Sequence, residues 1–185
     1  MPQKDEMISL SQASAQVKVT SQRLALLHLA YARTIVNELG EEEGKKLVLK
    51  AIKDYGKRVG EQARQKVAAQ GLPTTPENYG KASDLPAYGM HTGGEKVVVD
   101  GEERKRAYGC VMGELWIEEG EAELGRLYCY VDPAKYMAYN PDFKLCHTKA
   151  IPDGDEFCEF RVKPTTEQEK RDFASSDSDW SYIDE

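Results

Sequence analysis

No stretch of the 185-residue sequence approaches the length of apolar chain that spans a bilayer. The opening residues, MPQKDEMISLSQASAQ, lack the apolar core of a signal peptide. Both absences make the cytoplasm the expected compartment, with no membrane partner. There is no excess of basic charge. The net charge is −7, so no cationic field exists to hold a phosphate backbone, and a nucleic-acid partner is not expected. The four cysteines contain no C-x-x-C pair, which argues against a zinc knuckle or a thioredoxin-type motif and for free thiols. The hydrophobic share, 40%, is a little low for a fully folded globule, and polar ends account for it. From Pro164 onward there are two basic and seven acidic residues, so this tail carries −5 of the charge and the body −2. The acidic, serine-rich tail, residues 164–185, is expected to be disordered, with Trp180 and Tyr182 able to dock on a partner or on the body.

What is present concentrates in residues 127–162, LYCYVDPAKYMAYNPDFKLCHTKAIPDGDEFCEFRV. Cys129, Cys146, Cys158, His147, Asp132, Asp153 and Asp155 all lie here, and thiols, imidazoles and carboxylates supply nucleophiles and proton shuttles. Residues 121–139 read as one helix stopped by Asn140-Pro141. Residues 143–151 and 156–162 read as two strands joined at Pro152-Asp153-Gly154-Asp155. On such a helix Cys129 and Asp132 share a face. Alternation places Phe143, Leu145 and His147 together on the first strand, and Cys158, Phe160 and Val162 on the second. A carboxylate on the apolar side of a helix has little reason to be there unless it is paired, and a carboxylate beside imidazole or thiol poises proton transfer. The plainer alternative makes each cysteine a small buried hydrophobe and the histidine a satisfied core residue. Zinc held by Cys129, His147 and Cys158 would draw ligands from separate elements without a metal-binding spacing. No metal and no cofactor is expected.

Upstream, residues 1–19 read as loosely ordered. Thr20 or Ser21 caps a helix whose apolar stripe runs Leu24, Leu27, His28, Tyr31, Ile35, Leu39 to the stop at Gly40. That apolar face could pair two protomers as a homo-oligomer. Glu41, Glu42 and Glu43 open a second helix ending at Gly71, and the two form an antiparallel hairpin. Gly56 and Gly60 interrupt the second helix, so something approaches closely there. It is either another element packed tightly or a ligand lying over the glycines with Tyr55 and Arg58 beside it. After a Pro-rich connection, residues 72–85, the glycine-rich residues 87–94 carry His91 and suit a mobile loop. Residues 95–100 and 102–112 flank Asp100-Gly101, a two-residue hairpin signal, with Cys110 near the end of the second strand. The expected fold is a single α+β domain, residues 20–163: an N-terminal helical hairpin and a later helix packed on a four-stranded antiparallel sheet.

Two blocks, AIKDYGKRVGEQARQKVAAQG and YCYVDPAKYMAYNP…HTKAIPDGDEFCEF, make residues 23–162 resemble the L-2-amino-thiazoline-4-carboxylic acid hydrolase family. The shared pattern, Cys-x-x-Asp, Asn-Pro and Gly-Asp-x-x-Cys, falls on Cys129, Asp132, Asn140, Pro141, Gly154, Asp155 and Cys158; His147 and Cys110 match a subset of members. The closing Gly-Asp-x-x-Cys-x-Phe also resembles 4-vinyl-reductase-type small-molecule-binding domains. The resemblance implies hydrolytic opening of a cyclic amidine to a carbamoyl-cysteine. In that reading Asp132 holds the cationic amidine. Cys129 attacks as a thiolate with a lowered pKa, or His147 activates water. Lys135, Arg58 or Arg126 binds the substrate carboxylate. Tyr55, Asn140, Asp155, Cys110 and Cys158 complete the substrate-binding set. The alternative is a non-catalytic small-molecule-binding or sensor domain.

Overall fold

The computed structural model describes residues 7–82, 84–86 and 88–184. Helix α1, Leu10–Leu39, starts ten residues before the expected cap, because Ser9 and Gln12 form a capping box. The expectation of a loosely ordered stretch up to residue 19 therefore fails from Ser9 onward. Gly40, at φ +82, ends α1 and turns the chain directly into α2, Glu41–Ala68, giving the anticipated helical hairpin. A short helix α3, Pro76–Tyr79, leads to the hairpin of β1, Gly93–Val99, and β2, Glu102–Tyr108. Asp100 and Gly101 both adopt positive φ, as a tight two-residue turn requires.

The strand expected to run to residue 112 stops at Tyr108. Gly109 takes φ +58 against the Thr92 side chain, and the chain starts a new helix α4, Val111–Glu118, with Cys110 at its N-cap. The expected single helix over residues 121–139 is two, α5, Ala122–Cys129, and α6, Val131–Tyr139. Pro133 explains the break: it has no N–H to give to the Cys129 carbonyl, and its ring would clash with that carbonyl in a continuous helix. Strands β3, Phe143–Lys149, and β4, Cys158–Pro164, close an antiparallel sheet of order β1-β2-β4-β3. The architecture is α+β, with the helices on one face of the four-stranded sheet. No helix among the described residues is long and apolar enough to cross a membrane.

α2 is the helix against which α6 rests. A Cβ on Gly56 would meet the Ala134 side chain, and one on Gly60 would meet the Lys135 carbonyl and the Ala138 side chain. The glycines therefore admit the α6 backbone. Of the two readings of these glycines, tight element packing is the one the fold realises.

The tail does not fit the expectation of disorder. Thr166 and Glu169 form a capping box for α7, Glu167–Ala174, and Lys53 of α2 donates to the Ser175 carbonyl at its end, 2.7 Å away. Phe173, Trp180 and Ile183 then join Ala134 and Met137 of α6 in one core cluster. Ile183 is fully buried, and its carbonyl accepts from Lys144 Nζ (2.6 Å) and Cys146 Sγ (3.4 Å). The segment thus covers the open edge of β3. Three well-placed apolar residues outweigh the acidic composition because the acids face solvent or are paired, as Glu169 is with Lys144 at 2.7 Å and Asp184 with Arg126 at 2.8 Å.

Candidate active site

The sheet and helices α4 to α6 enclose a cavity of about 630 Å³. Alternation along the strands decides which side chains enter it. Lys105 and Ala107 of β2, Leu145 and His147 of β3, and Cys158 and Phe160 of β4 face inward. The neighbours Arg104, Arg106 and Glu159 pair on the opposite face, at 2.8 and 2.9 Å. From the helices come Cys110, Trp116, Tyr128, Cys129, Asp132, Lys135 and Tyr136. From the segment between α3 and β1 come Asp84, Met90 and His91.

Three cysteines line this space, and their environments separate their chemistry. Cys110 sits where β2 turns into α4. Its sulfur accepts from the Gly113 N–H at 3.5 Å, at the positive end of the helix. It also accepts from the Cys158 thiol and from His91. Those donors, Cys158 foremost, outweigh burial and hold the Cys110 thiol well below its ordinary value. Cys158 is pushed the other way, first by donating to that sulfur and then by burial, so it keeps the proton. Cys129 is also pushed up, by burial that the nearby Arg126 guanidinium does not offset. The lowered pKa expected at Cys129 therefore belongs to Cys110. The two thiols differ because Cys110 lies at a helix N-cap and Cys129 at the C-terminal end of α5.

Opposite the thiols runs a continuous string of charged groups. His147 Nδ1 donates to Asp184 Oδ1 at 3.0 Å, and its Nε2 lies 3.5 Å from Asp132 Oδ2. Asp132 Oδ1 accepts from Lys135 Nζ at 2.7 Å, and Lys135 also reaches Asp84 at 2.9 Å. Tyr79 donates to Asp84 at 3.0 Å. Burial pushes the Asp132 carboxyl up, but Lys135 and His147 more than compensate and hold it below the usual carboxylate range. For Lys135, burial works against the charge, yet Asp132 and Asp84 raise it well above an ordinary lysine. Both groups stay ionised at neutral pH.

The fold thus gathers Cys110, Cys129, Asp132, Lys135, His147 and Cys158 around one cavity. Tyr55, Arg58, Asn140 and Asp155 do not line it. Tyr55 packs on Tyr128 at the edge of a separate apolar groove of about 310 Å³ along α1 and α2, and Arg58 is exposed. Asn140 ends α6, donating to the Thr74 carbonyl at 2.8 Å and accepting from the Asp142 N–H at 2.9 Å. Asp155 accepts from the Ala150 N–H at 2.9 Å and shapes the turn before β4. These last two hold loops in place. Arg126, a candidate for the substrate carboxylate, is occupied by Asp153 (2.9 Å) and Asp184 (2.8 Å). Sequence reasoning missed His91, Asp84, Lys105 and Asp184 as site residues. A histidine set in a glycine-rich loop was a usable signal for His91; nothing local marks the others. Among the described residues no group of three or more His, Cys, Asp or Glu side chains is arranged to hold a metal ion.

No curated protein and no solved structure gives a significant match to the chain. A family model does match, over residues 20–162, which includes every residue of the cavity named above. The chain therefore belongs to the L-2-amino-thiazoline-4-carboxylic acid hydrolase family.

Proposed function

We propose that the cavity hydrolyses a cyclic amidine, L-2-amino-thiazoline-4-carboxylate or a close relative, to a carbamoyl-cysteine. The observation that carries this reading is the pairing, across one cavity, of an ionisable thiol at Cys110 with the Asp132–His147 couple. C2 of the ring is bonded to two nitrogens and one sulfur and is electrophilic when the amidine is protonated. Asp132 holds the amidinium N–H groups by charge-assisted hydrogen bonds. Lys105, an exposed cation lining the cavity, is better placed for the ring carboxylate than Lys135, which two carboxylates already neutralise.

Cys110 Sγ attacks C2 and forms a tetrahedral adduct. The ring C2–S bond then breaks, the departing sulfur takes a proton from the His147 imidazolium, and an isothiouronium remains on Cys110. Water adds to the same carbon and gives one proton back to His147. The bond to Cys110 breaks as the urea carbonyl forms. The last hydroxyl proton, equivalent to the one the amidinium brought in, leaves to solvent. Cys158 returns to hydrogen-bonding the free Cys110 thiolate.

The test is the appearance of the carbamoyl-cysteine from the aminothiazoline for wild type, Cys110→Ser and Cys129→Ser. Cys110→Ser is expected to lose turnover on the order of 10³-fold or more, and Cys129→Ser to stay within about tenfold. Full activity in Cys110→Ser would remove the covalent route and leave water activated by His147. A melting temperature raised by the compound, without turnover in wild type, would instead make this a binding domain.

A further inference from the structure

The matched part of the chain stops at residue 162, yet the segment beyond it ends on His147. Asp184 is 5% exposed. Its Oδ1 accepts from both the backbone N–H and Nδ1 of His147, each at 3.0 Å, and its Oδ2 accepts from Arg126 Nη2 at 2.8 Å. We propose that Asp184 is a positioning residue for the reaction: it keeps the neutral His147 ring protonated on Nδ1, and so turns the lone pair of Nε2 toward the cavity.

The competing group makes the need for it plain. Asp132 lies 3.5 Å from Nε2 and, unopposed, would draw the ring proton to that nitrogen, closing it to a water or a substrate. Asp184 is nearer, and its direction is set by three donors. Asp132 is already engaged by Lys135 at 2.7 Å. Among the described residues, the acids that contact His147 are Asp132 from α6 and Asp184; Lys135 and Arg126 engage those acids, His91, Cys110, Cys129, Cys158 and Lys105 line the same cavity, and the Phe160 ring of β4 lies 4.8 Å away between centroids. Asp184 is the acceptor on the Nδ1 side. Its backbone is held from behind by Lys144 and Cys146 on the Ile183 carbonyl, and Ile183 and Trp180 pack on α6, the helix that carries Asp132. The segment and the site are thus one mechanical unit.

The inference rests on His147 as the proton-transfer group, so its test reads the contact separately from turnover. Nitrogen NMR of the full chain reports the tautomer of neutral His147. Wild type is expected to show Nδ1–H, and Asp184→Ala to move the proton to Nε2, with kcat down about a hundredfold and KM within about threefold. Asp153→Ala, which removes only the outer carboxylate of Arg126, is expected to leave tautomer and kcat unchanged. An Nε2–H ring in wild type would overturn the proposal, even if Asp184→Ala failed to fold. So would an unaltered tautomer in Asp184→Ala, or an equal loss of kcat in Asp153→Ala. Absence of turnover in wild type, with the Nδ1–H ring intact, would refute the hydrolase reading and leave the contact standing.

Discussion

A thiolate alkylates readily and a thiol does not, so the three cavity cysteines should be distinguishable one residue at a time. Cys110 is held below the ordinary thiol value by Cys158, His91 and the Gly113 N–H, whereas Cys129 and Cys158 are pushed above it. At pH 6, iodoacetamide is expected to modify Cys110 about tenfold faster than a free cysteine, after allowing for the lower nucleophilicity of an acidic thiol. Peptide mapping by mass spectrometry identifies the residue, and earlier labelling of Cys129 would contradict the assignment. The sequence reading placed Cys129, Asp132, His147 and Cys158 near one another and expected the lowered thiol at Cys129, whereas the thiol held low is Cys110. The Cys-x-x-Asp spacing drew attention to Cys129. Cys110 read as a strand residue because the Asp100-Gly101 turn led into a strand expected to run to residue 112, whereas Gly109 turns the chain into a helix. His91 reaches Cys110 only through tertiary structure.

Among the elements, the crossing of α2 and α6 fixes where Asp132 and Lys135 stand. Alanine is a better helix former than glycine by roughly 1 kcal/mol, so on propensity alone Gly60→Ala would stabilise α2. The neighbouring Lys135 carbonyl reverses the sign, because a methyl group there has nowhere to go but into α6 backbone. We expect Gly60→Ala to destabilise by about 1–3 kcal/mol, as overpacking does, and to lower activity as Lys135 and Asp132 move with α6. Thermal unfolding checks the first, and an unchanged or raised melting temperature would show that α6 yields freely. This close approach was visible in the sequence as a pair of glycines one turn apart, though not its partner. The break between α5 and α6 was also visible, as Pro133, but a strong apolar pattern over residues 121–139 concealed it.

For the whole molecule, acid is the condition to examine. Glu159, 2% exposed between Arg104, Arg106 and Thr148, is desolvated, yet these partners bring its carboxyl down from 4.5 to about 2. Asp132 and Glu169 are shifted in the same direction. A carboxyl depressed on folding contributes stability that is fully present above its unfolded value and is lost as pH falls through its folded value. Urea-unfolding stability should therefore decline between about pH 5 and pH 2. Glu159→Gln should lower it by about 3 kcal/mol at pH 7 and flatten the decline. An equally steep decline in the variant would assign the acid sensitivity elsewhere. The sheet, the helical hairpin and the α+β class were legible from periodicity and turn chemistry. The ordered tail was not, because net charge was weighed above the spacing of Phe173, Trp180 and Ile183. That tail has a consequence for how the molecule is made. On the ribosome, every cavity residue emerges before Asp184, so the nascent domain can assemble its thiols and its sheet with β3 still uncovered and His147 unheld. The His147–Asp184 contact and the cover over β3 form only once residues 165–184 have emerged and docked.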